Sequence, residues 1–298
     1  MTGGSISRTR AWVMACRPRT LTAAVAPVAA GTGLAHMHGG FALLPALAAL
    51  AVAMLIQVGT NLANDYYDYR KGGDGEGRLG PVRVTQAGLI EGRAVLRGAL
   101  LAFALATGPG VYLALVAGWP MVAVGVACIA SGIAYTGGPW PLGYHGLGDL
   151  FVFVFFGLVA VAGTCYVQLL EFRPDSLTAG VALGAASTAI LVVNNLRDME
   201  TDARAGKRTL AVRMGGGWTK AQYVSLLGLT AAVPFAGMAL HGWSPQVLLA
   251  LCALPAVAGT LRLVLTYREP ASLNRALAGT ARFLGLFGVL LGLGFALG

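Results

Sequence analysis

Long, uninterrupted apolar runs restrict what this chain can fold into more than any other feature of its sequence. They fall near 20–37, 41–63, 95–117, 120–137, 149–170, 177–196, 221–241, 245–266 and 277–297. Each comes close to the roughly 20 residues that a helix needs to cross the hydrocarbon core of a bilayer. The runs are continuously apolar rather than alternating, which argues against the strands of a membrane barrel. Gly and Pro inside them are tolerable where neighbouring helices satisfy the freed backbone groups. Composition agrees: 56% of residues are hydrophobic and 11% charged, less than half the charge of a typical soluble domain. The reading is an all-α polytopic membrane protein with nine transmembrane helices. It forms a single domain over 1–298, since no polar linker or low-complexity segment divides the chain.

Arg17-Pro18-Arg19 breaks the first apolar stretch at once, which argues against a cleaved signal peptide. The four cysteines (Cys16, Cys128, Cys165 and Cys252) are far apart, with no CxxC or Cys/His grouping, so neither disulfides nor a zinc site is expected. Nine crossings with a cytoplasmic N-terminus make a sharp statement about charge. The inside segments then hold Arg8, Arg10, Arg17, Arg19, Arg70, Lys71, Arg78, Arg83, Arg93 and Arg97. They also hold Arg197, Arg204, Lys207, Arg208, Arg213, Lys220, Arg262, Arg268, Arg275 and Arg282. That leaves only Arg173 of the 21 basic residues outside, the bias that the positive-inside rule demands. The net charge of +9 is therefore topology plus one binding face. No water-soluble basic module is present, so no nucleic-acid partner is expected.

Acids are scarce, yet eight of the 12 lie in two inside segments: Asp65, Asp68, Asp74, Glu76 and Glu91, then Asp198, Glu200 and Asp202. On a helix Asn64 and Asp68 are i,i+4, and Asp65 and Asp68 are i,i+3, so these can share one face. Asn194, Asp198 and Asp202 repeat the pattern, with Glu200 pointing away. Asn64 and Asn194 each begin an Asn-xxx-Asp, 130 positions apart, which hints at an internal repeat of the segments 61–74 and 194–202. If both faces converge, unit charges ~5 Å apart repel by roughly 3 kcal/mol per pair at an effective dielectric of 20, so a cation is needed between them. Carboxylate and amide oxygens without His or Cys suit Mg²⁺, which in such sites usually also holds substrate phosphates. Lys71, Arg78, Arg83, Lys207 and Arg208 stand beside the acids, placed to take further phosphate oxygens.

NDYYDYRKGGD with RLGPVRVTQAG after it, and NNLRDMETDARAGKRTLAVRMG, resemble the two aspartate-rich motifs of the UbiA-type intramembrane aromatic prenyltransferases. Within that superfamily the chain is most similar to the 1,4-dihydroxy-2-naphthoate polyprenyltransferases of menaquinone synthesis. RPRTLTAAVAPVAAGTG, YTGGPWPLGYHGLGD and LNRALAGTARFLGLFG carry the narrower likeness, which runs almost the whole length. One departure is that relatives often carry a third acid four residues after the second, whereas position 72 is glycine and the nearest acid is Asp74.

The resemblance implies a helical bundle around one central cavity in the cell membrane, open laterally to lipid and capped on the cytoplasmic side. It implies Mg²⁺-dependent transfer of a polyprenyl chain from polyprenyl diphosphate to 1,4-dihydroxy-2-naphthoate with decarboxylation, giving demethylmenaquinone. By the same match Asn64, Asp65, Asp68, Asp198 and Asp202 are metal-site residues, and the four aspartates are catalytic. Lys71, Arg78, Arg83, Tyr135, Asn195, Lys207 and Arg208 are substrate contacts. Arg17 and Arg19 either hold the acceptor carboxylate or set topology. Tyr66, Tyr67, Tyr69 and Tyr135 are candidates to surround an allylic cation. The Gly- and Pro-containing stretch 135–149 reads as a lid, with His145 and Asp149 either tuning the acceptor or closing turns. Trp119, Trp140 and Trp243 read as interfacial anchors. Two rival readings remain: transfer to another acceptor such as 4-hydroxybenzoate or homogentisate, and a transporter, whose charges would sit nearer the midplane.

Overall fold

The computed structural model describes residues 6–72 and 79–298, and all regular structure among them is helical. A short α1 (Arg8–Cys16) ends at Arg17, a non-glycine residue in the left-handed region at φ 51°. Nine further helices follow, one on each apolar run: α2 (Thr22–Met37), α3 (Leu43–Arg70), α4 (Gly92–Ala117), α5 (Pro120–Ala134), α6 (Gly148–Leu169), α7 (Asp175–Arg204), α8 (Leu210–His241), α9 (Pro245–Thr266) and α10 (Pro270–Leu297).

Seven of these are long and apolar enough to cross a membrane, against the nine crossings expected. The two that fall short are α2, of 16 residues with Pro27 inside and His36 in its last turn, and α5, of 15 residues. At 1.5 Å per residue they span only about 22–24 Å. The protein is a multi-pass membrane protein on the strength of the seven.

Burial follows the solvent that each helix meets. α7 carries AGVALGAASTA through its middle, and 78% of its apolar window is buried among neighbours. α4 is the opposite case, with Leu100, Leu101, Leu105, Val111 and Leu115 all exposed. In lipid such side chains have no hydrophobic reason to turn inward, so helix pairing rests on close packing of small residues instead. α6 crosses α7 where Gly157 meets Gly180 and Gly184; a Cβ on Gly157 would lie 2.5 Å from the Gly180 carbonyl oxygen. α6 takes a π-helical turn at Val154–Val159 around this contact. α2 packs on α10 in the same way, Gly33 against the backbone of Gly292.

The end of the bundle away from the aspartates corrects one reading. Trp243 is not an exposed anchor; it is 3% exposed, and its indole N–H donates to Asp175 at 3.2 Å. His38 bonds the same carboxylate oxygen at 2.9 Å, so α2, α7 and the α8–α9 connection are tied at one point. Trp119 at 78% and Trp140 at 55% do remain exposed.

The glycine contacts yield a stability test. Gly33→Ala should lower the thermal midpoint in detergent, at a cost of about 1–3 kcal/mol for overpacking against Gly292. Gly125→Ala in α5 meets open space and should be neutral or slightly stabilising. Equal midpoints for the two variants would remove the α2–α10 contact as a determinant of the fold.

Candidate active site

The site begins with what the last turns of α3 must do. Gln57, Asn61, Asn64 and Asp68 follow i,i+4,i+7,i+11 spacing and form one polar stripe on an otherwise apolar helix. Asn64 Oδ1 accepts from the Thr136 hydroxyl at 2.7 Å. Asp68, only 2% exposed, accepts from Arg83 at 2.8 Å and from the Tyr144 hydroxyl at 2.9 Å. Asp65 does not join this face. Next to Asn64 it is turned about 100° around the helix, and its two oxygens accept the backbone N–H groups of Val84 and Thr85 at 3.2 and 3.1 Å. It therefore clasps the loop that delivers Arg83, and it does not line the cavity.

The second motif ends α7. Asp198 receives a two-pronged bond from its neighbour Arg197, at 2.8 Å from Nε and 2.5 Å from an Nη. The same guanidinium donates to Asn194 Oδ1 at 2.8 Å and to Asn274 Oδ1 at 2.9 Å. Asn274 in turn donates to the Leu79 carbonyl at 2.8 Å, linking α10 to the segment after α3. Arg197, read from sequence as a topology charge, is 2% exposed and is the hub of the second motif. Asp202 lies one turn further on; Lys207 Nζ is 3.9 Å from its carboxylate and 3.2 Å from that of Asp68. The two aspartate motifs thus meet through one ammonium group.

A lid closes over this meeting point. Residues 135–147 are held by Lys71, which donates to the Thr136 and Gly138 carbonyls at 2.8 and 3.1 Å. The Arg208 backbone N–H holds the Tyr144 carbonyl at 2.8 Å, and Arg213 holds that of His145 at 2.9 Å. The Lys71 and Lys207 ammonium groups lie over the Tyr144 ring, 5.2 and 4.8 Å from its centroid. Desolvation pulls the Lys71 ammonium below its ordinary pKa; Asp68 opposes this and Lys207 adds to it. Burial, then the charges of Asp149, Asp68 and Asp202, push the Tyr135 phenol up. His145 stacks on Trp140 and bonds the Pro141 carbonyl, while Asp149 accepts from Gln222 at 2.7 Å. Both close local structure.

Beneath the lid is a cavity of about 510 Å³, charged at the aspartate end and walled by Ile56, Val124, Phe151, Phe155 and Ile190 below. Of the residues singled out by sequence, Arg17, Asn64, Asp68, Arg83, Tyr135, Asn195, Asp198, Asp202 and Lys207 line it. Asp65, Lys71, Arg19 and Arg208 do not. Lys71 grips the lid, Arg19 is exposed, and Arg208 works through its backbone with its side chain exposed. Arg78 and Asp74 lie outside the described residues. Tyr66 and Tyr67 pack in the apolar cluster around Leu62 and Val95, and Tyr69 is 50% exposed, so none of the three walls the cavity. Tyr144 does, and only the uncharged character of the lid pointed to it.

Among the described residues no three His, Cys, Asp or Glu side chains converge as a self-sufficient metal site. The cavity-facing donors are hard oxygens in two half-sites, Asn64 with Asp68 and Asn194 with Asp198 and Asp202. That set fits Mg²⁺, which usually takes one or two carboxylates and completes its shell with water and substrate phosphates.

Comparison with known proteins agrees with this geometry. The UbiA prenyltransferase family model matches residues 24–294. A 1,4-dihydroxy-2-naphthoate octaprenyltransferase of Mycobacterium tuberculosis is 46% identical over 251 residues, 84% of this chain and 86% of that one. The protein of the same name from Escherichia coli is 37% identical, covering 100% of this chain and 98% of its own. Among solved structures, a UbiA homolog from Archaeoglobus fulgidus bound to GPP and Mg²⁺ superposes with a TM-score of 0.64 at 14% identity, over 94% of this chain and 99% of that one. The fold, the extent of the family match and the identity to full-length relatives lead to one conclusion: the chain belongs to the UbiA prenyltransferase family.

Proposed function

We propose that the protein transfers a polyprenyl chain from polyprenyl diphosphate to 1,4-dihydroxy-2-naphthoate with loss of the ring carboxylate as CO₂, giving demethylmenaquinone. The observation that carries this reading is the meeting of two Asn/Asp faces through Lys207 at the mouth of a largely apolar cavity. The shared name of the bacterial relatives supports the acceptor. The likeness of the fold to a homolog solved with GPP and Mg²⁺ supports the donor class. The positive-inside bias of the sequence supports an active site on the cytoplasmic face of the cell membrane.

Each residue then has a physical task. Asn64, Asp68, Asn194, Asp198 and Asp202 would hold Mg²⁺, which would supply the positive charge that makes the diphosphate a good leaving group. Arg83 and Lys207, already beside Asp68, take further phosphate oxygens. Arg197 holds the second face in place through Asp198 and Asn194. Lys71 holds the lid shut over the leaving group, so water is excluded when the C–O bond breaks. Apolar walls below the charges accept the isoprenoid, and the Tyr135 ring on the cavity wall supplies π surface beside the allylic centre. The electron-rich ring supplies the pair for the new C–C bond. Arg17, on the cavity wall at the end of α1, is placed to orient the acceptor carboxylate. A transporter would keep its charges near the midplane; here they close one end of the bundle.

Mass spectrometry of the product formed by purified protein, Mg²⁺, 1,4-dihydroxy-2-naphthoate and a mixture of polyprenyl diphosphates tests the reading. A decarboxylated prenyl-naphthalene product is expected; prenylated 4-hydroxybenzoate in a competition mixture would assign a different acceptor. Turnover should vanish with EDTA, return with Mg²⁺ and return poorly with Zn²⁺, since the donors are hard oxygens. Full activity after metal stripping would end the diphosphate mechanism.

Substitutions separate the helical faces from a diffuse acidic field. Asp68→Asn, Asp198→Asn and Asp202→Asn should each lower single-turnover rates about 10²–10³-fold, the scale of one lost transition-state charge contact. Glu200 points outward with its side chain 78% exposed, so Glu200→Gln should stay within about threefold of the parent. Matching losses at Glu200 and Asp198 would refute the face-based site.

A further inference from the structure

Asn274 stands in the first turn of the helix Leu273–Leu297 that makes up most of α10, half-buried and behind the cavity wall. Its amide is engaged on both sides. Oδ1 accepts from Arg197 at 2.9 Å, while Nδ2 donates to the Leu79 carbonyl at 2.8 Å and to the Ala271 carbonyl at 3.1 Å. A primary amide offers an acceptor oxygen and two N–H donors in one plane, and here all three are used. A carboxylate of the same shape would face the two carbonyls with no proton to give.

Each side of the amide leads to one aspartate motif. Arg197 carries the second, donating to both Asp198 oxygens and to Asn194. Leu79 leads to the first. It begins the irregular segment 79–85, whose far end is clasped by Asp65 through the Val84 and Thr85 N–H groups. Arg83 lies between these two anchors and donates to Asp68 at 2.8 Å. A path of contacts therefore runs from Asp68 through Arg83, Leu79, Asn274 and Arg197 to Asp198. Leu79, Asn274 and Arg197 all stand off the cavity wall.

The separation of the two motifs is not a matter of helix packing alone. α3 packs chiefly on α2, α4, α5 and α6, and α7 on α2, α6, α8 and α10, and the two face each other across the cavity. On the cavity side Lys207 bridges them, and the proposed reaction turns that ammonium toward the diphosphate. The path through Asn274 does not include Lys207, so it stays in place when Lys207 turns.

We infer that Asn274 is a positioning residue for the diphosphate: its amide sets the separation of the two Asn/Asp faces by fixing Arg197 and the Arg83 segment relative to each other. The inference rests on the function proposed above and deepens it, because control of that separation then lies on α10, outside the cavity. Residues that orient the groups around a metal typically change affinity about 10–100-fold when removed.

The test uses full-length protein in detergent with Mg²⁺ and geranyl thiodiphosphate, a non-reactive analogue whose binding is read by titration calorimetry without turnover. In Asn274→Leu its Kd should rise about 10–100-fold, and the KM for polyprenyl diphosphate and the Mg²⁺ concentration giving half-maximal rate should rise with it. The KM for 1,4-dihydroxy-2-naphthoate should stay within about threefold, as expected of a separate set of contacts. Asn274→Asp keeps the acceptor for Arg197 but loses both donors, so it should weaken the analogue about as much as Asn274→Leu. Arg275→Gln, exposed and next in sequence, should stay within about threefold of the parent. Asn274→Ser replaces Asn274→Leu if the latter does not fold. Parental affinity in Asn274→Asp would reduce Asn274 to a partner of Arg197 and overturn the bridge. Unchanged affinity in Asn274→Leu, or equal weakening toward diphosphate and acceptor, would overturn it too. A parent protein that binds no thiodiphosphate with Mg²⁺ present would instead overturn the proposed function, and the bridge with it.

Discussion

Burying carboxylates at the edge of a bilayer is the constraint around which the rest of this structure is arranged. Asp68, Asp198 and Asp202 are each under 10% exposed, and the helices that carry them run directly into the apolar core. Two unit charges 4 Å apart interact by about 4 kcal/mol at an effective dielectric of 20, so the acids could not gather without cations. Lys207 reaches both Asp68 and Asp202, Arg83 holds Asp68, and Arg197 holds Asp198. Remove these contacts and the ends of α3 and α7 would repel.

The same cations explain the surrounding architecture. Arg83 arrives on a loop whose backbone is clasped by Asp65, so the acid next to the cavity stripe builds the support for its partner. Lys71 and the backbone of Arg208 pull the lid down, and Tyr144 joins the lid to Asp68 while two ammonium groups lie over its ring. Arg197 and Asn274 extend the second motif to α10. On the proposed reading, a metal–diphosphate would meet donors that are already oriented, which is where electrostatic catalysis gains most.

Much of this was legible in the sequence, because membrane helices and acid spacing are strong local signals. All nine apolar runs are helices, and Asn64, Asp68, Asn194, Asp198 and Asp202 share one cavity. What could not be read is which of two adjacent acids turns inward. Asp65 and Asp68 are compatible with one face by spacing, yet a backbone segment 19 residues on captures Asp65. Arg197 was hidden for a related reason: an arginine beside an acidic motif looks the same whether it sets topology or holds the motif. Trp243 at a span end was read as an anchor, but its partner Asp175 is 68 residues away. The helices α2 and α5, of 16 and 15 residues, are apolar but shorter than the seven that reach crossing length.

The central claim is that two Asn/Asp faces together hold the metal–diphosphate. Anomalous diffraction from crystals grown with Mn²⁺ and a non-reactive polyprenyl thiodiphosphate tests it most directly, because Mn²⁺ takes the same oxygen ligands as Mg²⁺ and can be located individually. The account predicts metal peaks at coordination distance from both Asp68 and the Asp198–Asp202 face, with the diphosphate between them and Lys207 on its oxygens. Metal confined to one face, or bound at Asp65 instead, would contradict it.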